Sequence, residues 1–154
     1  MSNSVTEITN LLYRYAELLD GGDLEGVAEL FRHAQIKLQA GHERVGATEL
    51  LRIFREQVKI YPCGTPRTKH LVTNPMIEVD EESHRATARS YYTVLQGTDG
   101  LQLQPIATGR YHDAFERIDG IWRFSFRDYS MLDMVGNLSC HLNGAPSATD
   151  TQSS

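Results

Sequence analysis

The sequence predicts an α+β fold in which helices come first and then cover a curved antiparallel sheet. Two observations carry this. Apolar residues recur at helical spacing up to about Tyr61, and from Arg67 onward they alternate at the period of a strand in long runs joined by short turns. A third observation removes the main rival: strands and helices do not alternate, so βαβ units and a parallel sheet have no room.

Taken in chain order, Val5, Ile8, Leu12, Tyr15 and Leu19 draw one apolar stripe, widened by Leu11 and Leu18, on a helix from about Ser4 to Asp20. Gly21 and Gly22 end it. Asp23 then caps a second helix through Leu24–Phe31, which makes a tight helical hairpin. Ile36 and Leu38 alternate with polar neighbours as a short strand. A third helix runs from Thr48 to about Tyr61, with Leu50, Leu51, Phe54 and Val58 on its apolar side, and the Pro62–Pro66 turn closes this half. Four strands follow at about 68–79, 84–97, 101–117 and 121–132, with turns at Asp80–Glu82, Thr98–Gly100 and Ile118–Gly120. Asn74-Pro75 inside the first of them marks a bulge or an edge, because proline cannot donate to a ladder. In the last strand, period-two alternation puts Trp122, Phe124 and Phe126 on one face and Arg123, Ser125 and Arg127 on the other.

A chain of 154 residues fits a single domain, here 1–142, followed by a polar stretch, 143–154, with the composition of a disordered tail. At this length a core needs neither disulfides nor metal. Cys63 and Cys140 lack partner cysteines or histidines at ligand spacing, which suits inert thiols in a reducing cytoplasm and argues against zinc. The N-terminus has neither the basic nor the apolar region of a secretion signal, and no run approaches the roughly 18 apolar residues of a membrane span. The charge balance of 20 acids to 15 bases, with no basic cluster, gives nucleic acid little to bind. No glycine-rich phosphate loop occurs, so nucleotide cofactors are not indicated. No metal-ligand spacing joins His33, His42, His84, His112 and His141.

The segments ITNLLYRYAELLDGGDLEGVAELF, TKHLVTNPMIEV and GRYHDAFERIDGIWRFSFRD, with the closing MLDMVGNLSCHL, resemble the SnoaL-like branch of the nuclear transport factor two-like superfamily over about residues 4–142. The resemblance implies a cone: a curved sheet, or α+β barrel, wrapped round a pocket that helices close. In layout the chain is most similar to the group of scytalone dehydratase, bile-acid dehydratase and hexachlorocyclohexane dehydrochlorinase, which eliminate water or HCl without a cofactor. By that resemblance the catalytic Asp matches Asp20 and the catalytic His matches His70. A Tyr of the bile-acid enzymes matches Tyr15, and an Arg of the dehydrochlorinase matches Arg127. Leu19 stands where scytalone dehydratase has a Tyr. Cyclases of the SnoaL type place a carboxylate on a long strand, which makes Asp113 and Asp128 reserve candidates. Relatives form dimers or trimers.

The residues themselves carry part of this reading. A carboxylate at the negative end of a helix is disfavoured by about 0.3–1 kcal/mol, so Asp20 either has a chemical task or begins the turn that follows. His70 opens a strand, as a surface histidine or as a base: an imidazole with an ordinary pKa near 6.5 accepts a carbon-bound proton at little cost. Tyr15 is either a core tyrosine or a hydrogen-bond donor to a substrate oxygen. Arg127 either binds a substrate anion or pairs with an acid. The expected activity is a cofactor-independent lyase or isomerase acting on a hydrophobic cyclic molecule, with His70 as base, Asp20 orienting it, and Tyr15 or Arg127 assisting the oxygen. The alternatives are a polyketide-type cyclase using Asp113 or Asp128, and a non-catalytic ligand-binding or dimerisation module. The expected partners are a hydrophobic small molecule and a second or third copy of the chain, with no nucleic acid and no membrane.

Overall fold

The structure, a computed structural model, describes residues 3–145. Helix α1 spans Ser4–Asp20 and is capped by Asn3, whose Oδ1 accepts from the N–H groups of Val5 and Thr6 at 3.1 and 3.3 Å. Its buried stripe is Ser4, Ile8, Leu12, Tyr15 and Leu19. Val5, expected to start the stripe, is exposed, because Ser4 one turn before Ile8 takes the inward position. After Gly21 the chain turns at Gly22, with φ +78°, so close to the next loop that a Cβ there would lie 2.0 Å from the Gly64 carbonyl oxygen. Helix α2, Leu24–Leu30, starts under Asp23, whose Oδ1 accepts from the Gly26 N–H at 2.8 Å.

Strand β1 is short, Gln35–Lys37, and Ile36 exchanges backbone hydrogen bonds with Val45. Helix α3 covers Ala47–Gln57 and stops four residues short of the expected Tyr61. Val58 is extended there and bridges Leu142, and the Lys59 N–H donates to the His141 carbonyl. Pairing with the C-terminal segment thus overrides helical spacing, which carries no information about a partner some eighty residues away. Asn143, the first residue of the expected tail, donates through its backbone N–H to Gln57 and through its side chain to Glu56, while residues 146–154 of that tail lie outside the described residues.

The four long strands are β2 Thr68–Asp80, β3 Arg85–Thr98, β4 Leu101–Ile118 and β5 Ile121–Val135. They form one sheet in the order β1-β5-β4-β3-β2, antiparallel throughout except that β1 runs parallel to β5. The sheet is curved and does not close: β1 and β2 are its edges, so the expected barrel is an open one. Asp119 and Gly120, both with positive φ, make the two-residue turn between β4 and β5. Asn74, at φ 55°, sits where the β2–β3 register shifts between Thr73 and Met76, and β2 is an edge strand, so both positions that Asn74-Pro75 allowed, bulge and edge, are met. Strand β5 runs on to Val135, beyond the expected 132, because Met134 and Val135 still pair with Thr108 and Ala107. The core lies between the sheet's inner face and the helices, chiefly α1. Among the described residues no helix is long and apolar enough to cross a membrane.

Candidate functional site

Asp20, the last residue of α1, and His70, the third of β2, meet because the helix ends over the start of the edge strand. The Asp20 Oδ1 lies 2.6 Å from His70 Nδ1, and the same oxygen accepts from the Thr68 hydroxyl at 2.9 Å. Its Oδ2 accepts from the backbone N–H of His70 at 2.7 Å. The two side chains are 8% and 5% exposed, which keeps these bonds largely out of water. A carboxylate offers lone pairs only, so the shared proton sits on Nδ1 and donates to Asp20; in the neutral imidazole Nε2 is then the accepting nitrogen. That is the protonation pattern a histidine base requires.

Tyr15 sets its ring edge-on to His70, with centroids 6.3 Å apart. It is 1% exposed, and burial first, then the neighbouring Tyr111, pushes its phenol well above the ordinary value against the pull of Arg127. The hydroxyl therefore stays protonated and can donate.

Arg127 lies on a different face from the one period two predicts. The β4–β5 register shifts between the pairs Phe115–Phe124 and Ala114–Phe126, so Ser125 is an extra residue in β5. The bulge turns Arg127 inward, onto the face of Trp122 and Phe124, and turns Phe126 away. Period-two reading has no means of seeing an inserted residue. Inside, the guanidinium lies 3.9 Å from the centre of the Tyr111 ring and 4.3 Å from that of Tyr15, with Phe31, Phe124 and Tyr129 within 5.4 Å. Its Nε and Nη2 donate to the two oxygens of Asp113 at 2.7 and 3.0 Å, and both side chains are fully buried. Burial holds the Asp113 carboxyl above its ordinary value although Arg127 pulls it back, and burial works against the Arg127 charge, but Asp113 outweighs it and holds the guanidinium in its charged form. Asp113 and Arg127 thus hold each other. Asp128, on the opposite face, accepts from the Ser130 N–H and hydroxyl at 2.8 and 2.6 Å and has Lys37 at 3.7 Å. Partial burial raises its pKa, but Ser130 and Lys37 outweigh that and hold it below the usual carboxylate range.

A residue that the sequence reading did not single out for chemistry lies beside the Asp20–His70 pair. His141, from the segment after β5, is 7% exposed, and its ring lies 6.2 Å from that of His70. Burial above all, then His70, lowers its pKa to about 4, with Asp20 acting the other way. No spacing in the sequence links residue 141 to 70; the only trace is the apolar Leu138, Cys140 and Leu142 around it. Among the described residues no group of three or more His, Cys, Asp or Glu side chains is placed to hold a metal ion. A surface cleft of about 540 Å³ has Asp20, Thr68 and Arg67 in its walls.

Comparison with known proteins agrees with this architecture. A family model described as a SnoaL-like domain matches residues 1–128. No curated protein matches. Among solved structures, a protein of unknown function from Mycobacterium tuberculosis is 24% identical, with 95% of this chain and 74% of that chain covered and a TM-score of 0.64. An NTF2-like protein with a cystatin-like fold from Novosphingobium aromaticivorans is 21% identical over 84% of this chain and 82% of its own, at a TM-score of 0.63. A protein from the same organism, provisionally described as a scytalone dehydratase, is 20% identical over 84% of each chain, also at 0.63. The sheet order, the helices packed on its inner face and the family match together place the chain in the SnoaL-like family, on an NTF2-like, cystatin-like fold.

Proposed function

We propose that the protein is a cofactor-independent lyase of the dehydratase type, or an isomerase, acting on a hydrophobic cyclic small molecule. The observation that carries this reading is the Asp20–His70 pair: a buried imidazole held by a carboxylate through Nδ1, with Nε2 left to accept. In this reading Nε2 takes a proton from carbon next to a carbonyl. Asp20 fixes the tautomer and balances the imidazolium that forms. The Tyr15 phenol, kept neutral by burial, donates to the oxygen on which negative charge develops. Arg127 works from behind Tyr15, its charge against the tyrosine ring, since Asp113 holds two of its nitrogens. The neighbour described as a scytalone dehydratase supports the elimination chemistry.

The cyclase alternative is less favoured, because both oxygens of Asp113 are held by Arg127 and Asp128 is held by Ser130. One observation favours a non-catalytic binding or dimerisation module instead. The interior beyond the dyad is occupied by the rings of Tyr15, Tyr111, Tyr129, Phe31 and Phe124 closing on Arg127.

The test is turnover of a panel of hydroxylated cyclic ketones, followed by mass spectrometry for loss of water. His70→Gln should lower the rate about 100- to 10,000-fold, the usual contribution of a general base. Wild-type turnover in that variant sinks the assignment.

A further inference from the structure

We infer that His141 is the group that binds the departing oxygen of the substrate, so that the site holds two imidazoles with separate tasks. This rests on the reading of His70 as the base.

Three observations converge on it. His141 is 93% removed from solvent, yet its Nδ1 has no hydrogen-bond partner among the described residues. A buried polar nitrogen left unpaired is costly, and such atoms are kept where something else binds them. The ring stands edge-on to His70, with centroids 6.2 Å apart and planes at 64°. The backbone around it is fixed independently of the side chain: the Lys59 N–H donates to the His141 carbonyl, and Gln96 Nε2 donates to the Cys140 carbonyl at 2.9 Å. Tyr61 also donates to that carbonyl, and Lys59 Nζ donates to the Ser139 carbonyl at 2.6 Å. An imidazole held so firmly, with an unmet nitrogen beside the base, is placed to meet a polar atom of a ligand.

The chemistry divides accordingly. His70 Nε2 takes the proton as the C–H bond breaks, and its electron pair forms the enolate C=C bond to the carbonyl carbon. As the enolate collapses, the C=C bond to the adjacent carbon forms while the C–O bond there breaks, and the oxygen leaves as water carrying the proton that His70 took. His141 stays neutral throughout: its N–H donates to that oxygen and stabilises the charge it gains. The low pKa of His141 suits this role, since a cation beside His70 would oppose the imidazolium.

The probe is a bicyclic β-hydroxy ketone that aromatises to a fluorescent naphthol on losing water, set beside the same ketone without its hydroxyl. The second compound reports only deuterium exchange at the α-carbon. His141→Phe should lower elimination by about 100- to 1,000-fold more than it lowers exchange, the loss expected for one donor at a developing oxyanion. His141→Asn, which keeps an N–H, should recover most of the difference. Thermal melts of both variants verify the fold, and His141→Leu replaces the Phe variant if that one does not fold. An unchanged ratio of elimination to exchange overturns the role of His141 and leaves the His70 reading standing. A wild-type protein that neither eliminates nor exchanges overturns both.

Discussion

Replacing Arg127 by Met removes a charge from the most enclosed ion pair among the described residues and leaves Asp113 fully buried with no cation beside it. Removing one partner of a buried pair costs about 3–5 kcal/mol. For a chain of this size each kcal/mol moves Tm by about 2–4 °C, so the variant should melt roughly 6–20 °C lower. Loss of the charge over the Tyr111 and Tyr15 rings adds to the deficit, while the Met side chain retains part of the packing. Asp113→Leu should be similarly damaging, because it strands a guanidinium. The double variant should recover much of the loss, since two apolar side chains of similar volume need no partner. Circular dichroism melts of the four proteins give the cycle, with a coupling of at least about 2 kcal/mol expected. The exposed pair Arg110–Asp133, 44% and 40% open to solvent, is the control, worth about 1 kcal/mol or less. An Arg127→Met variant that melts within about 2 °C of wild type would refute the inward face that the Ser125 bulge gives Arg127.

Two further outcomes are expected. The strands expose Leu71, Met76, Tyr91, Leu103, Leu132 and Met134, and we propose that a second copy of the chain covers part of this surface. Light scattering at micromolar concentration should give a dimer or trimer, and a monomer rules the proposal out. The other outcome concerns pH. His141, facing His70 and Asp20, has a folded pKa of about 4, below the ordinary 6.5, so the unfolded chain takes the proton first. Stability should therefore fall as pH drops from about 6.5 to 4, by about 3 kcal/mol from this group, and His141→Gln should remove that part of the slope. Parallel pH dependences of Tm in the two proteins would show that His141 is not buried as described.

Legibility in the sequence followed the range of the interactions. Helix α1, the Asp23 cap, the Asn74-Pro75 bulge and the Asp119-Gly120 turn are set by residues within a few positions of each other, and all are readable from spacing and turn chemistry. The end of α3 is not, because Val58 is drawn out by Leu142. The face of Arg127 is not, because it depends on one inserted residue at Ser125 that alternation cannot register. Asp20 and His70 are joined by the family resemblance, and spacing alone does not join them. His141 is not legible, because the alternation of Leu138, Cys140 and Leu142 around it says nothing of a contact with residue 70.

The choice of Asp rather than Asn at position 20 follows from the donors around it. Thr68 and His70 Nδ1 both point at Oδ1, and the His70 backbone N–H points at Oδ2. Only a side chain with two accepting oxygens meets all three, and these bonds offset the unfavourable position at the negative end of α1. In Asp20→Asn the amide oxygen must stay on the backbone N–H, because that donor cannot turn away. The amide nitrogen then faces Thr68, whose hydroxyl can rotate to accept, and Nδ1, which can accept only by giving up its proton. The tautomer reverses, and Nε2 becomes a donor with no lone pair for a substrate proton. The variant should therefore melt within a few degrees of wild type yet lose at least about 100-fold in rate, with ¹⁵N NMR moving the His70 proton from Nδ1 to Nε2. If the proton stays on Nδ1 and the rate still collapses, orientation by Asp20 is not what the histidine requires, and the charge on the carboxylate is.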